Sequence, residues 1–355
     1  MKTERPVFPP AESQGTFKRL LNHEQVRETA GFDPQRLAYA RHYQEFLNAG
    51  DSFGVLILRN GWAVDEYYTE NILETTSIDI WSATKSFTSL AYGMLLDRLS
   101  PRVSLESRLY DHLPREYFHG DGRRKNITIR HLLSMTSGIR GSGNGVIGMG
   151  VPHGVGAFEY ALGMQPNRFG LCCDPLLSDP GCAFDYSDAS YALLALLFYH
   201  LSGEDMRDFL ARELFLKLGM QSAHWDLQGG YGAIGPYTNG HTGLHISVRE
   251  LARVGYLVLN HGKWDRQQVL PGHWIETAID TKDSTNPCYG LGFWVNHTGR
   301  LIPKAPHDLF FMKGYRSNRC YIVPSLDLVV ARCGTGPTNW DESKLIGDII
   351  DSIIQ

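Results

Sequence analysis

The chain has 355 residues, of which 43% are hydrophobic and 20% charged, enough for a large core and roughly one to three domains. Its formal net charge is −4, which argues against the basic face that a nucleic-acid or anionic-membrane partner favours. The first 15 residues contain no apolar secretion signal, and the longest apolar runs, such as 192–199, are far shorter than the roughly 20 residues of a membrane span. We therefore expect a cytoplasmic protein that binds neither nucleic acid nor membrane.

The six cysteines are most simply free thiols in a cytoplasmic chain. Three of them cluster in CCDPLLSDPGC, and a disulfide from Cys182 to Cys172 or to Cys173 stays open. The cluster has no CxxC pair, so we expect no metal there.

The N-terminal part of the chain predicts a helix followed by a hairpin. Residues 33–49 have an amphipathic pattern with Asp33 as N-cap and Gly50 at the end. Two β-rich runs then flank Asn60–Gly61, and Asn-Gly between such runs is a strong hairpin signal.

The remaining elements predict a sheet built from both ends of the chain. Strands return after residue 288, and a helix over 340–354 closes the chain. Between the two strand regions lie helical stretches and long Gly/Pro-rich loops. The pattern predicts an α/β (α+β) fold, an antiparallel sheet flanked by helices plus an inserted mostly α-helical domain.

We place the α/β domain at 1–103 and 241–355, the helical domain at 104–240, and the active site in the cleft between them. The predicted helices of the middle and C-terminal regions are 129–135, 190–201, 206–217 and 247–260.

The first chemistry-bearing motif is Ser82-Ala83-Thr84-Lys85, at the start of a helical stretch. Residues three apart share a helix face, so Lys85 lies one turn from Ser82. The positive helix N-terminus and the Ser82 N–H favour an oxyanion, and a desolvated lysine can act as a base. An isolated match is more often a helix cap and a solvated charge.

The second motif is Phe184-Asp185-Tyr186-Ser187-Asp188, just before the next helix. The Tyr186 phenol beside a cationic lysine can relay a proton from a serine to a leaving group. The alternative is a packing tyrosine beside Asp188 as helix N-cap. A third segment, 310–315, predicts a strand that ends in a Gly turn and offers a second backbone oxyanion donor.

Together these segments resemble the serine β-lactamase-like, penicillin-binding-protein superfamily. The resemblance covers roughly residues 50–335. Within the group of class C β-lactamases, DD-peptidases and family VIII carboxylesterases, it looks closest to the 6-aminohexanoate-dimer hydrolase and carboxylesterase-like branch. It implies a helix-flanked antiparallel sheet, an all-α domain and an active site between them. The segments that carry it are WSATKSFTSLAYGMLLD, ITIRHLLSMTSGI, FDYSDASYALLA, residues 247–276 and YIVPSLDLVVARC.

Two positions depart from the family pattern. Asp188 stands where β-lactamases and DD-peptidases usually have Asn, and an ionised Asp can only accept hydrogen bonds. It could pair with Lys85 and hold the lysine protonated. The Lys-Thr-Gly or His-Thr-Gly triplet is also missing, since Met312 and Lys313 precede Gly314. These departures disfavour a true β-lactamase or DD-peptidase.

The predicted function is therefore a serine hydrolase that cleaves an ester or amide bond of a small molecule through an acyl-enzyme on Ser82. Lys85 and Tyr186 handle protons, the Ser82 and Tyr315 N–H groups form the oxyanion hole, and no cofactor or metal is needed. The substrate-binding candidates are Asp188, Lys313, Gly314, His245 and Arg316, with His241, Arg319, Trp225, Tyr231 and Tyr237 as further candidates near the pocket. β-Lactamase or DD-peptidase activity and a catalytically silent binding protein remain the alternatives, and a homodimer is left open.

Overall fold

The computed structural model describes residues 8–141, 156–166, 170, 172–226, 233–282, 284–336 and 341–354. Its helices are α1 (His23–Ala30), α2 (Pro34–Leu47), α3 (Thr84–Leu99), α4 (Ile129–Leu133), α5 (Ala157–Ala161), α6 (Asp188–Ser202), α7 (Met206–Leu210), α8 (Val248–Leu259), α9 (Gly272–Ile279) and α10 (Glu342–Asp351). Its strands are β1 (Phe53–Arg59), β2 (Trp62–Tyr68), β3 (Ile78–Asp79), β4 (His224–Trp225), β5 (Leu244–Ile246), β6 (Lys263–Trp264), β7 (Gln267–Gln268), β8 (Trp294–Val295), β9 (Phe310–Lys313), β10 (Arg319–Val323) and β11 (Leu328–Gly334). Short 3-10 helices span Glu12–Gln14, Trp81–Ala83, Leu109–Asp111, Arg115–Tyr117, Gly122–Asn126, Tyr315–Ser317 and Pro324–Leu326, and Ala211–Phe215 forms a π-helical turn.

The main sheet joins the two ends of the chain, as the sequence predicted. Its strand order is β2-β1-β11-β10-β9-β8 among the described residues, and every pair is antiparallel. The hairpin between β1 and β2 turns at Asn60 and Gly61, with φ values of 53° and 77°. Two successive positive φ angles are what a two-residue type I′ turn requires, and Asn-Gly adopts them readily.

The two faces of the main sheet bury two separate sets of apolar side chains. In β1, Leu56 and Leu58 pack into a core shared with α3, α6 and α8. Their neighbours Val55 and Ile57 point to the other face, into a core shared with α1, α2 and α10. This alternation follows the two-residue period of a strand. The sheet is thus covered by helices on both sides.

Helix α3 is the centre of the larger core, because its residues Thr84–Leu96 are all buried. A helix buried on every side is apolar all round rather than amphipathic. Helix α6, whose residues Ala189–Phe198 are buried, packs against α3, α4 and α5. The helices between β3 and β4 therefore form a layer beside the nucleophile segment. The exact division into two domains at 104 and 240 stays a prediction.

Several predicted element boundaries differ from the observed ones. Helix α2 begins at Asp33 as predicted but ends at Leu47, where Asn48 caps it. The predicted N-cap of α6 is wrong by one residue, because Ser187 caps the helix by accepting from the Ser190 N–H and Asp188 is the first helical residue. Of the strand predicted around 289–296, only Trp294–Val295 forms a strand (β8), because the chain turns tightly at Gly290 and Gly292 just before it. The region 206–217 is helical but changes to a π-helical turn at Ala211.

No helix within the described ranges has the length and the apolar composition to cross a membrane. The six cysteines are all free thiols. Tyr231, predicted to lie near the pocket, and residues 142–150 of the Gly-rich stretch 141–150 lie outside the described residues.

Candidate active site

The segment that carries Ser82 is a 3-10 turn, Trp81–Ala83, at the entrance to α3. Asp79 holds this turn in place, because its Oδ1 accepts a 2.8 Å hydrogen bond from the Trp81 N–H. Trp81 itself has φ 52°, a left-handed conformation that a bulky residue rarely adopts. The strained turn presents Ser82, a half-buried residue, at the positive end of a long buried helix.

The end of β9 lies directly against this turn. A Cβ atom on Gly314 would stand 2.0 Å from the Ile80 carbonyl oxygen and 3.1 Å from the Ala83 nitrogen. Only glycine allows two backbones to approach so closely. The ring of Tyr315 packs edge-on against Trp81, with 5.4 Å between the ring centroids. The approach therefore brings the backbone of Tyr315 beside the nucleophile turn.

Neither the Ser82 N–H nor the Tyr315 N–H donates to an acceptor within the described part of the chain. Two unpaired N–H groups on adjacent segments are the elements of an oxyanion hole. Their placement agrees with the pair predicted from the sequence, although their role is untested.

Lys85 lies one helical turn below Ser82, and its side chain is 2% exposed. Its Nζ is 3.0 Å from Ser82 Oγ and 3.1 Å from the carbonyl oxygen of His241. A third contact joins Nζ to Asp188 Oδ1 at 2.7 Å. The ammonium group thus connects the serine, the α6 N-terminus and the loop that precedes β5.

Tyr186 completes the cluster from the loop before α6. Its hydroxyl is a hydrogen-bond partner of Lys85, and the Lys85 Nζ is 5.0 Å from the centre of its ring. The other ring contacts of Tyr186 are with Trp294, at 6.3 Å with 20° between the planes, and with Tyr289, at 6.5 Å and nearly perpendicular. These aromatic neighbours fix the ring, so the phenol stays near the lysine.

The charges of the cluster are set by burial and by the Lys85–Asp188 pair. Burial alone would lower the pKa of Lys85, but the negative charge of Asp188 and hydrogen bonds to Asp188 and Tyr186 outweigh it, and the pKa is raised. For Asp188, burial opposes the charge, yet Lys85 holds its pKa below the usual range. The ion pair is therefore the ground state at neutral pH.

His241 adds a neutral group beside this ion pair. Burial is the main reason why the pKa of its imidazole falls to about 4; the charge of Asp188 raises this pKa and the charge of Lys85 lowers it further, both by less than burial does. The sequence identified His241 only as one pocket candidate. Its backbone carbonyl, which accepts from Lys85, could not be recognised from the side-chain pattern.

The predicted cations near Gly314 have different environments. Lys313 contacts Glu342 of α10, with 3.0 Å between Nζ and Oε1, and Arg319 is buried against the same carboxylate, with 2.9 Å between Nε and Oε1. Arg319, a further pocket candidate of the sequence analysis, is therefore an internal partner of Glu342. Arg316 is exposed beside Tyr315, with 6.0 Å from its guanidinium carbon to the ring centre. Met312 is completely buried and faces the core.

His245, another predicted substrate-binding residue, lies on β5 opposite Asp79. Its Nε2 is 3.0 Å from Asp226 Oδ2. Trp225 is buried with its indole N–H donating to the Thr242 carbonyl, and Tyr237 packs on Tyr199. These contacts give the residues structural partners, and a substrate-binding role for any of them stays a prediction.

A serine, a lysine and a tyrosine meet here between an antiparallel sheet and a helical layer. The family model described as Beta-lactamase matches residues 40–347, and the chain therefore belongs to the Beta-lactamase family. The curated relatives cover less of the chain: protein flp of Staphylococcus aureus (strain MW2) is 28% identical over 152 residues, which are 41% of this chain and 28% of flp. The chain thus matches less than a third of the length of that relative.

Solved structures share the fold at low sequence identity. A Bacillus anthracis protein assigned as a 6-aminohexanoate-dimer hydrolase superimposes with a TM-score of 0.67 at 20% identity, over 86% of this chain and 80% of that protein. EstCE1, a hydrolase with promiscuous acyltransferase activity, gives a TM-score of 0.67 at 16% identity, over 90% of this chain and 99% of EstCE1. The predicted fold class and superfamily are confirmed.

Proposed function

We propose that the protein is a serine hydrolase that cleaves an ester or amide bond of a small molecule through an acyl-enzyme on Ser82. The observation that carries the proposal is the meeting of Ser82, Lys85 and Tyr186, with 3.0 Å between Ser82 Oγ and Lys85 Nζ. An isolated hydroxyl is a weak nucleophile, and a neighbouring group that accepts its proton activates it.

In the first step, Ser82 Oγ forms a bond to the substrate carbonyl carbon and passes its proton to the Lys85–Tyr186 pair. The Ser82 and Tyr315 N–H groups stabilise the negative oxygen of the tetrahedral intermediate. The bond to the leaving group then breaks, and Tyr186 returns the proton to the departing oxygen or nitrogen. Water, activated by the same pair, releases the acyl group and restores Ser82.

The Lys85–Asp188 ion pair determines how the rate of the proposed reaction should depend on pH. Because the raised pKa keeps Lys85 protonated at neutral pH, the form that can accept a proton is the minor one. We therefore expect the rate to increase with pH above neutrality, as more Lys85 becomes neutral. When ionised, Asp188 can only accept hydrogen bonds. It is therefore suited to pairing with the Lys85 ammonium and cannot donate to a substrate carbonyl.

The geometry supports an ester or amide substrate better than a β-lactam. Met312 is completely buried, and the Lys313 ammonium contacts Glu342 at 3.0 Å. The positions that correspond to the missing triplet therefore hold a buried apolar side chain and a lysine that a carboxylate already engages. Arg316 is exposed beside Tyr315 and would serve a substrate that carries a negative group.

The decisive experiment compares the protein with Ser82→Ala. A fluorophosphonate probe should add mass to Ser82 in the parent protein and to no serine in the variant, and hydrolysis of p-nitrophenyl acetate should fall by a factor on the order of 10⁴ or more. Ser325→Ala is the matched control, because Ser325 is exposed at the opposite end of β10 from Gly314.

Retained hydrolysis in Ser82→Ala, with a circular dichroism spectrum like that of the parent, would refute the assignment. A folded parent protein whose Ser82 does not react with the probe would instead favour a catalytically silent binding protein. Nitrocefin, short-chain and long-chain p-nitrophenyl esters and a small amide panel then separate the substrate classes.

A further inference from the structure

A small sheet beside the nucleophile turn carries a cluster of metal-ligating side chains. Its strand order is β3-β5-β4, and His224 of β4 lies directly opposite His245 of β5. Asp226 follows His224 by two residues, so both side chains lie on the same face of the strand. The register therefore collects two imidazoles and one carboxylate on one face of the sheet.

The distances within the cluster are short. His245 Nε2 is 3.0 Å from Asp226 Oδ2, and the His224 and His245 rings stack with 4.7 Å between their centroids and 15° between their planes. One ligand atom from each of the three residues lies within 4.8 Å of the others. Tetrahedral ligands at zinc are separated by about 3.3 Å. Side-chain rotation that closes the cluster by roughly 1–1.5 Å would bring them to this spacing.

The face of the cluster is open enough for such a rotation. His224 is exposed, and Asp226 and His245 are half-buried. His224 Nδ1 is engaged with the Ser222 carbonyl at 3.1 Å, which leaves Nε2 as the ring nitrogen available to an ion. A hydrogen bond at the other ring nitrogen is the usual second-shell arrangement of a ligating histidine.

We propose that His224, Asp226 and His245 bind a divalent transition-metal ion of the zinc type. Two imidazoles and one carboxylate are ligands of borderline softness, which favour Zn²⁺, Co²⁺, Ni²⁺ or Cu²⁺ over Mg²⁺ or Ca²⁺. Water would fill the remaining coordination positions of the ion. The site is separate from the Ser82 cluster and does not depend on the proposed hydrolase activity.

Asp79 links this site to the nucleophile turn. It lies opposite His245 on β3. Its Oδ1 already accepts from the Trp81 N–H, so Asp79 is a neighbour of the site and not one of its proposed ligands. Asp79 would therefore stand between an ion bound to His245 and the turn that presents Ser82.

The test is a calorimetric titration of the untagged, chelator-treated protein with Zn²⁺. We expect one ion to bind per chain and an excess of Mg²⁺ not to compete. Because changes in the second shell alone weaken metal affinity about 10- to 100-fold, loss of one ligand in His245→Ala should weaken binding at least about tenfold. The variant His224→Ala/His245→Ala should bind no Zn²⁺ at this site.

A matched double variant, His23→Ala/His297→Ala, removes two exposed histidines outside the cluster and should bind Zn²⁺ like the parent protein. His224→Gln alone serves as a second variant that leaves the fold intact, since the side chain is exposed, and it should also weaken binding. The proposal is overturned if the parent binds no Zn²⁺, if His224→Ala/His245→Ala binds like the parent, or if Mg²⁺ competes as well as Zn²⁺. Because the readout is binding, none of these results affects the proposed hydrolysis.

Discussion

Replacing Asp188 with Asn tests the central electrostatic feature of the site. The 2.7 Å separation of Asp188 Oδ1 and Lys85 Nζ corresponds to an attraction of about 6 kcal/mol at an effective dielectric constant of about 20. Desolvation offsets part of this, and removing one member of a buried pair typically costs about 3–5 kcal/mol. The unfolding entropy of a 355-residue chain is about 0.75 kcal/mol/K, so Asp188→Asn should lower Tm by about 4–7 °C at pH 7.

The pH dependence of this loss has a defined sign. The lowered pKa of Asp188 means that its contribution to stability is present above the ordinary pKa of about 3.9 and is lost as the pH falls through the folded-state value. The raised pKa of Lys85 means that its contribution is present below the ordinary pKa of about 10.4 and is lost as the pH rises through the folded-state value. The difference in Tm between parent and variant should therefore be at its full size from about pH 4 to about pH 10 and should shrink as the pH leaves this range on either side.

Differential scanning calorimetry over about pH 2–12 measures this difference, because the predicted losses lie at the two ends of that range. Asp208→Asn is the control, because its 3.0 Å contact with Arg207 lies on the surface and should contribute less than about 1 kcal/mol. In Asp188→Asn the pKa of Lys85 also falls, so the rise in kcat/KM should move to lower pH. A variant whose Tm matches the parent at pH 7, and whose rate profile is unshifted, would refute a charged Lys85–Asp188 pair.

Three further outcomes follow from the contacts of single residues. Gly314→Ala places a Cβ 2.0 Å from a backbone carbonyl oxygen, so the proposed oxyanion donor must move and kcat should fall about 10²- to 10³-fold. The control is Gly122→Ala, which has open space around its Cβ and should leave steady-state kinetics unchanged. Tyr186→Phe removes the relaying hydroxyl and should reduce kcat about 10²- to 10⁴-fold with little change in KM, and an unchanged kcat would contradict its role. Glu342→Gln should lose about 3–5 kcal/mol of stability at pH 7, measured by urea unfolding, because two cations lose their partner. Burial opposes the charge of Glu342, but its arginine partner lowers the pKa to about 2. The stability difference between parent and variant should therefore disappear as the pH falls from about 4.3 toward that value. A difference that does not depend on pH would contradict this reasoning.

Local patterns were sufficient for the parts of the fold that depend on neighbouring residues. The Asn60–Gly61 hairpin, the Asp33 cap of α2 and the helical spacing of Ser82 and Lys85 involve separations of a few residues, and all are present. Tyr186 was placed beside Lys85 by resemblance to a family, since a contact across about a hundred residues has no local signal.

The features that could not be predicted from the sequence depend on contacts between segments that are far apart in the chain. Lys313 and Arg319 have the pattern of available cations, and the docking of α10 brings the Glu342 carboxylate into contact with both. His245 was recognised as a candidate, but its pairing with Asp226 depends on the register of strands only two or three residues long. Strands of that length carry too few residues for an alternating pattern to be recognised.

The pairing of β1 with β11 has a consequence for how the protein is made. On the ribosome, β1 emerges more than 260 residues before Leu328–Gly334, which supply its neighbour in the sheet. Until then one edge of the first hairpin has no partner, and unpaired edges favour aggregation. Gly314 and Tyr315 emerge more than 230 residues after Ser82, so the N–H group proposed as the second oxyanion donor joins Ser82 only after that stretch has been made.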